Sequence, residues 1–559
     1  MQVRQHGGQV VIEGVEPEID AGEFPIKRSA GDRVSVEADV FAGGREAICC
    51  VLKHRKAGAP EWTETPMQFF VNDRWRGEFT LAEPGRYQYT IEAWADPFKS
   101  WRMEMLRRIQ AAGDDDDAYE RGAELAAAIA ARAAPEDARR LRECAAVWRS
   151  GASRAQKRSL ALDEEPAQAA ERNADRHGAT TYSRVLEVVV EPAAARFSAW
   201  YEFFPPPPSR LVECEKQLDS IAAMGFDTAC LAEAAGNLRP LAESAARKGL
   251  ALALDLAGFG PEDGGAEVIR NWIRQGVKRF RIQRPQTSPF SAWQRLISEI
   301  RAEDPEVLFL SGAIARPKAM ERLAKVGFSQ SQTYFPWRNT KVELTEYLLE
   351  LYELREYFRP SLWPNTPEVL PEYLQIGGRP AFAVRLLLAA TLGANYGIYG
   401  PAFERCENTP KEPGSEEYPP RDARRPEDGA DSLEPLITRM NRIRRENAAL
   451  HDDGSLRFHD IDNEQLICYS KETDDLSSVI VVVANLDPHH TQSGRLELPI
   501  ETFGILPDRP YELCELLTGE RSIAVGRRRA VTLDPRLGPA SVFRLRQRTR
   551  SERDFRDYA

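Results

Sequence analysis

Apolar and polar residues alternate along the first hundred positions, between short turn-forming segments. The period of two residues is clearest in Asp32–Gly44 and Gly85–Asp96. This period is typical of strands that bury one face. It predicts an N-terminal β-sandwich over residues 1–100, joined by a return strand at residues 183–192.

The pattern changes to a helical period over residues 101–182, which we interpret as a helical insert. Apolar residues recur at spacings of three and four through Ala118–Gly151. Pro135 is placed to begin a second helix, with Glu136 and Asp137 in its first turn. The segment therefore predicts an antiparallel pair of helices.

Strands and helices then alternate over residues 193–447. Continuous apolar runs such as Gly249–Ala257 and Val307–Ile314 are separated by amphipathic segments such as Ala266–Gly276. Strands of this kind are buried on both faces, as in a parallel sheet. The predicted fold is multidomain α/β: a (β/α)₈ barrel, flanked by the N-terminal sandwich and by a C-terminal antiparallel β-sandwich over residues 448–547. A charged tail follows at residues 548–559.

Composition excludes several classes of function. The 559-residue chain carries a formal net charge of −11 and has no long basic run, which argues against a nucleic-acid partner. No segment is long and apolar enough to cross a bilayer, and the first residues do not form an apolar signal sequence. Eight cysteines include no Cys-x-x-Cys pair, so we expect free thiols, a cytoplasmic location, no membrane partner, and neither a metal nor a cofactor.

Long strings in the chain resemble one enzyme family. They are "NDRWRGEFT", "RFSAWYEFFP", "SQSQTYFPWRNTKVELTEYL" and "LGANYGIYGPAFERCEN". They are similar to the α-1,4-glucan:maltose-1-phosphate maltosyltransferases of the α-amylase superfamily, over most of the chain. The resemblance implies retaining chemistry, in which a nucleophilic Asp, an acid/base Glu and a supporting Asp surround the sugar C1. Each is expected just past a barrel strand.

The positions that match this catalytic set have lost two of its three carboxylates. The resemblance places the nucleophile at Gln283, the acid/base at Gly312 and the third acid at Glu368. An amide is a weak nucleophile and carries no charge, and glycine has no proton to give. We therefore predict that no catalytic set is intact and that Gln283, Gly312 and Glu368 are vestigial positions.

Other charged residues are candidates for a residual pocket. Asp255 matches a superfamily aspartate with a structural hydrogen-bonding role. Arg281, which the family keeps beside its nucleophile, is expected to pair with Glu368 or another acid. Arg284 stands where the family has an Asn that helps hold substrate phosphate, and it fits an anion site or, more simply, a solvent-facing loop. Relocated chemistry would need two of Asp255, Glu233 and Glu368 about 5 Å apart.

Loops that frame the family's active site are also shortened. The chain runs almost directly onward after Asp255 and lacks the lysine–tyrosine loop expected after Gly414–Tyr418. We therefore predict a degenerate barrel that lacks the family's extra loop domain. Four aromatic residues near the barrel fit either sugar stacking or simple packing: Trp337, Trp363, Tyr373 and Tyr396.

Three functions remain open from the sequence. The first is a catalytically inactive paralogue with a regulatory or structural role in α-glucan metabolism. Because the active family dimerises through its N-terminal region, this chain would act as a homodimer or in a complex with an active maltosyltransferase-type enzyme. The second is a non-catalytic protein that binds α-glucan or maltooligosaccharides. The third is an active maltosyltransferase.

Overall fold

The structure, a computed structural model, describes residues 10–111, 113–204, 211–232, 236–262, 264–419 and 432–547. The predicted tail at 548–559 and Glu233 lie outside these residues. The chain divides into two compact units, residues 1–190 and 191–559. Among the described helices, none has both the length and the apolar character needed to cross a membrane.

The first unit begins with two antiparallel sheets. Their strands are β1 (Val11–Glu16), β2 (Ile26–Ser29), β3 (Arg33–Phe41), β4 (Ile48–Lys56), β5 (Thr63–Pro66), β6 (Gln68–Val71), β7 (Arg74–Thr80), β8 (Gly85–Ala95), β9 (Thr180–Thr181) and β10 (Leu186–Glu191). One sheet has the order β1-β3-β7-β6 and the other β2-β10-β8-β4-β5, with β9 paired to β8. Alternate residues of β3 are buried, as the period of two predicts. The return strand β10 pairs with β8.

The insert contains more helices than the predicted pair. The described helices are α1 (Pro97–Gln110), α2 (Asp116–Ala130), α3 (Pro135–Arg149), α4 (Arg154–Leu162) and α5 (Glu164–Arg172). The expected pair corresponds to α2 and α3, and the other three cover a shared core that includes Trp101, Tyr119 and Trp148. Asp115 caps α2 by accepting a hydrogen bond from the backbone N–H of Ala118. The prediction of a single helical pair was therefore incomplete.

The second unit contains a closed barrel of eight parallel strands within its described residues. The strands are β11 (Ser198–Phe203), β12 (Thr228–Leu231), β13 (Ala251–Leu256), β14 (Arg279–Gln283), β15 (Leu308–Gly312), β16 (Gln330–Gln332), β17 (Pro360–Leu362) and β18 (Asn395–Tyr399). Strand β18 pairs with β11 and closes the barrel. The predicted barrel is confirmed, but its strands give no support to the description "degenerate".

Helices of the second unit alternate with these strands. They are α6 (Ala193–Arg196), α7 (Leu211–Ala223), α8 (Arg239–Arg247), α9 (Gly265–Arg274), α10 (Phe290–Glu303), α11 (Pro317–Lys325), α12 (Lys341–Glu353), α13 (Glu372–Leu392), α14 (Gly400–Glu404) and α15 (Glu434–Glu446). Inside the barrel, Trp200, Cys230, Ala253, Leu310 and Trp363 form a packed layer. The interior is therefore a core, and a ligand can enter only at an end of the barrel.

The last part of the chain is antiparallel, as predicted. Its strands are β19 (Arg457–His459), β20 (Leu466–Glu472), β21 (Val479–Asn485), β22 (Gln492–Glu497), β23 (Tyr511–Glu515), β24 (Arg521–Ala524), β25 (Arg528–Leu533) and β26 (Ala540–Gln547). They form a six-stranded sheet, β19-β20-β21-β26-β23-β24, and a two-stranded sheet, β22-β25. Apolar residues from both sheets share one core.

Candidate active-site cavity

A cavity of about 320 Å³ lies where the barrel strands end, and the three vestigial positions line it. Gln283 ends β14 and Gly312 ends β15, and the two residues are partners in the parallel ladder between those strands. Glu368 reaches the same cavity from the loop after β17. The structure therefore brings together the three residues that the sequence placed around the sugar C1. The carboxyl ends of barrel strands are where such sites are built.

The side-chain amide of Gln283 is engaged with acids on both sides. Its Nε2 donates a hydrogen bond to Asp255 Oδ2. The same nitrogen lies 3.4 Å from Glu368 Oε1. The nucleophile position thus holds a neutral group that serves as a hydrogen-bond donor to two carboxylates.

Gly312 leaves space where the acid/base side chain would begin. A Cβ built there would lie 3.0 Å from the Ile282 carbonyl oxygen and 3.5 Å from Gln283 Cα. The first distance is tighter than an ordinary Cβ contact, and the carbonyl belongs to the backbone of the neighbouring strand β14. The backbone of Gly312 is not in the left-handed region, so its conformation alone does not require glycine. Its chemical effect is that β15 presents no proton donor to the cavity.

At the floor of the cavity, which Arg281 helps to line, this arginine forms a buried ionic network with two acids. Its Nη1 lies 2.5 Å from Glu202 Oε2, and its Nη2 lies 2.5 Å from Asp255 Oδ2. The three side chains are at most 2% exposed. Arg281 also stacks over the Trp363 ring, 5.2 Å from its centroid. The expected acid partner of Arg281 is thus a pair of acids, and Glu368 is not one of them.

Charge in this network is unbalanced, because two carboxylates share one guanidinium. Burial raises the pKa of Glu202 to about 8, an effect that Arg281 opposes and Asp255 reinforces. Burial disfavours the charged form of Arg281, but Asp255 and Glu202 outweigh it and hold the arginine pKa well above its usual value. Glu202 is therefore the acid of this network that holds a proton at neutral pH.

Sequence reasoning missed Glu202. It is the one acid in "SAWYEF", the fully buried strand β11. A lone acid in an apolar strand signals a buried partner, because an unpaired charge there is costly. The partner lies 79 residues away along the chain, so the sequence pattern cannot identify it.

The remaining candidates separate into those at the cavity and those beneath it. Arg284 is exposed and lies at the cavity with a φ of 51°, as a loop arginine would. Asp255 and Glu368 both approach Gln283 Nε2, but of these two acids only Glu368 is a lining residue. If Asp255 and Glu368 carried out the catalysis, Asp255 would first have to lose its contact with Arg281.

Two of the four aromatic candidates face the cavity. Trp337 and Trp363 line it. The hydroxyl of Tyr373 donates to the Leu486 carbonyl at 2.7 Å, and that of Tyr396 donates to Asn441 Oδ1 at 2.5 Å. Tyr373 and Tyr396 therefore hold structural elements together rather than face a ligand.

Comparisons with known proteins agree with the resemblance seen in the sequence. Residues 8–192 match a family model described as "Alpha-1,4-glucan:maltose-1-phosphate maltosyltransferase, domain N/S", and residues 458–545 match "GLGE, C-terminal". A crystal structure of an Anoxybacillus α-amylase covers 64% of this chain and 99% of its own, with a TM-score of 0.50 and 12% identity, a likeness of fold alone.

Curated relatives match over nearly the whole chain. The α-1,4-glucan:maltose-1-phosphate maltosyltransferase of Myxococcus xanthus is 36% identical over 665 residues, covering 99% of both chains. That of Chlorobaculum tepidum is 35% identical over 649 residues, covering 96% of both. Both alignments are longer than the 559 residues of this chain, so the relatives carry insertions that it lacks. The chain belongs to the α-1,4-glucan:maltose-1-phosphate maltosyltransferase family.

Proposed function

We propose that this chain is a catalytically inactive member of its family, with a regulatory or structural role in α-glucan metabolism. The observation that carries the proposal is the pair of neighbours Gln283 and Gly312 at the cavity, where the family resemblance implies a nucleophile and an acid/base. Glu368 is the one carboxylate left among the three positions.

The requirements of retaining transfer explain why the residues at these two positions support the proposal. Retaining transfer needs a carboxylate that attacks C1 and a second group that protonates the leaving oxygen. The Gln283 amide nitrogen is committed to Asp255, and its uncharged oxygen cannot offset a developing positive charge as a carboxylate would. Gly312 offers no proton, so both steps lack their group.

A turnover assay tests the proposal directly. The pure protein is incubated with maltose 1-phosphate and a maltooligosaccharide, and both phosphate release and chain extension are followed. The Myxococcus relative serves as the positive control and a heat-denatured sample as the blank. We expect this chain to match the blank. Chain extension above the blank, abolished by Glu368→Gln, would establish the active alternative instead.

The active alternative draws its support from the Myxococcus and Chlorobaculum relatives, both of which are maltosyltransferases by name. In this chain it would need Asp255 and Glu368 to take over the chemistry. Asp255→Asn and Glu368→Gln would then each remove measurable turnover. A signal that survives both substitutions would point to a contaminating enzyme.

A second candidate function, sugar binding without turnover, is favoured by unsatisfied polar atoms at the cavity. Within the described chain, Gln332 Nε2 and Gln286 Oε1 are buried without a hydrogen-bond partner, and both residues line the cavity beside Trp337 and Trp363. A ligand rich in hydroxyl groups could satisfy a donor and an acceptor and stack on an indole ring.

Thermal shift with maltooligosaccharides and affinity electrophoresis in glycogen test this second candidate. We expect maltooligosaccharides to raise the melting temperature of the wild-type protein. Trp337→Ala should remove this shift, and Tyr352→Ala, on the barrel's outer helix α12, should leave it unchanged. Absence of both a shift and a retardation in the wild-type protein would rule the candidate out.

The proposed partners are a second copy of the chain or an active relative. All eight cysteines are free thiols, which fits a cytoplasmic protein that would meet glucan enzymes there. Co-purification of the tagged chain from its native host tests the pairing. We expect an active maltosyltransferase to co-purify with the tagged chain. If the enzyme is present in the lysate but absent from the purified sample, the result counts against pairing.

A further inference from the structure

Three neighbouring barrel strands end in a row of two amide side chains with a glycine between them. Gln283 of β14 is the ladder partner of Gly312 of β15. The register between β15 and β16 pairs Ser311 with Ser331, so Gln332 follows beside Gly312. Side chains in one such row point to the same face of the sheet. The row therefore contains a slot above Gly312, with an amide side chain on each side of it.

The slot is small and opens into the cavity. A Cβ at Gly312 would lie 3.5 Å from Gln283 Cα and 3.5 Å from Gln332 Oε1, so these two residues form its side walls. All three residues line the cavity of about 320 Å³. Pockets for small molecules commonly measure about 300–1,000 Å³, which places this cavity near the lower end of the range. The space suits one sugar ring with a side group better than a long glucan chain.

Polar groups at the slot call for an acceptor and a donor on the ligand. Within the part of the chain that the structure describes, Gln332 Nε2 is buried without a hydrogen-bond partner, and Gln332 is 5% exposed. An unpaired buried N–H group is costly, which favours a ligand with a carbonyl oxygen. Glu368 Oε1 lies 3.4 Å from Gln283 Nε2, and Oε2 accepts from the Thr366 hydroxyl at 3.0 Å. An ionised carboxylate can accept about four hydrogen bonds, so Glu368 can accept one more from a ligand N–H.

The cavity also has an apolar wall. Ile314 lines it and is 37% exposed, so a methyl group on the ligand would bury apolar surface there. A carboxylate on the ligand is disfavoured, because it would meet the like charge of Glu368. A hydroxyl group can donate and accept, but it has no apolar part. An acetamido group combines a carbonyl oxygen, an N–H and a methyl, and so matches all three features.

We propose that the cavity binds a sugar that carries an acetamido group, with this group seated in the slot at Gly312. The inference rests on the sugar-binding candidate put forward above and narrows its ligand. The acetamido oxygen accepts from Gln332 Nε2 and its N–H donates to Glu368. The methyl group contacts Ile314, and the sugar ring stacks on Trp337. A glutamate side chain at position 312 would fill the same space, so the glycine is what admits the group.

Calorimetric titration of the full chain with three sugars that differ at one substituent tests the proposal. The sugars are glucose, glucosamine and N-acetylglucosamine. We expect N-acetylglucosamine to bind roughly 10-fold more tightly than glucose, because it adds about one hydrogen bond and one buried methyl group. Glucosamine should bind less tightly than N-acetylglucosamine, since an ammonium group cannot accept from Gln332. Equal affinities for these two sugars would show that Glu368 selects a cation and would overturn the proposal.

Two substitutions test the position of the acetamido group. Gln332→Leu removes the unpaired donor, and Gly312→Ala narrows the slot. Each should abolish the preference for N-acetylglucosamine over glucose. The matched controls are Gln547→Leu, at the exposed end of β26, and Gly151→Ala, whose Cβ would meet nothing within 4 Å. Both controls should keep the wild-type preference. Melting temperatures check that each variant folds, and Gln332→Leu alone decides the test if Gly312→Ala does not fold.

The outcomes separate this proposal from the broader one. Equal affinities of the wild type for glucose and N-acetylglucosamine, or a preference that survives Gln332→Leu, would overturn the acetamido site and leave the sugar-binding candidate standing. If maltooligosaccharides shift the melting temperature but none of the three monosaccharides binds, the acetamido site again fails alone. If no sugar of either kind binds, both proposals fail. Turnover is measured separately, so the proposal of inactivity does not depend on these results.

Discussion

Replacing Glu202 with Gln tests the buried ionic network, because the charge of this acid depends on pH. Burial raises the pKa of Glu202 from its ordinary 4.5 to about 8 in the folded chain. The amide has the shape of the protonated acid and cannot titrate, but it accepts only one of the two hydrogen bonds that Arg281 donates to Glu202. Wild type and variant should therefore differ in how their stability responds to pH.

The direction follows from proton counting. Between pH 4.5 and about 8 the folded chain retains a proton that the unfolded chain has released. The free energy of unfolding consequently falls as the pH rises through this window. The stabilisation is fully present below pH 4.5 and lost above about pH 8. One pKa unit corresponds to about 1.36 kcal/mol, so raising the pH from 5 to 8 should cost the wild type up to about 4 kcal/mol through this group.

Urea unfolding followed by circular dichroism at pH 5 and pH 8 measures the effect. We expect Glu202→Gln to lose roughly 2–4 kcal/mol less than the wild type between the two pH values. The control is Glu464→Gln, whose side chain is 79% exposed and should follow the wild-type response. Identical pH responses for the wild type and Glu202→Gln would refute the idea that this acid holds a proton in the folded chain.

Three further substitutions have defined expectations. Arg281→Met leaves two buried carboxylates without a cation and should destabilise the chain by about 3–5 kcal/mol, measured as a lower urea midpoint. Gln283→Asp removes a donor between two acids and adds a third charge, so it should lower stability by roughly 1–3 kcal/mol, more at pH 8 than at pH 5 in thermal melts. Gly122→Ala would place a Cβ 2.1 Å from the Trp101 ring and should cost roughly 1–3 kcal/mol, whereas Gly151→Ala meets nothing within 4 Å and should be close to neutral in the same melts.

Much of the barrel was predictable because its strands are apolar and regularly spaced. The runs that contain β13 and β15 were identified from the sequence and are strands in the structure. Strand β16 could not be found this way, since its sequence Gln330-Ser331-Gln332 is polar. It is buried because Gln330 Nε2 donates hydrogen bonds to Ser198 and Asn395 on the neighbouring face of the barrel. Such long-range hydrogen bonds leave no periodic signal.

The sequence identified the residues of the candidate site but not the contacts between their side chains. The family resemblance located Gln283, Gly312 and Glu368 by position, and these three residues line one cavity. The bridging role of the Gln283 amide was not foreseen, nor was the participation of Glu202. Both depend on which side chains of distant strands point inward at the same level of the barrel, a matter of register that one sequence does not reveal.

The bridging amide of Gln283 has a consequence for any attempt to restore the family's chemistry. A carboxylate at this position would lie against Asp255 and Glu368, and the neutral amide avoids that repulsion. A single substitution at Gln283 brings the repulsion back but does not supply a proton donor at Gly312. Neither single change therefore provides both the charged nucleophile and the acid that retaining transfer needs. Restoring that chemistry requires both changes together.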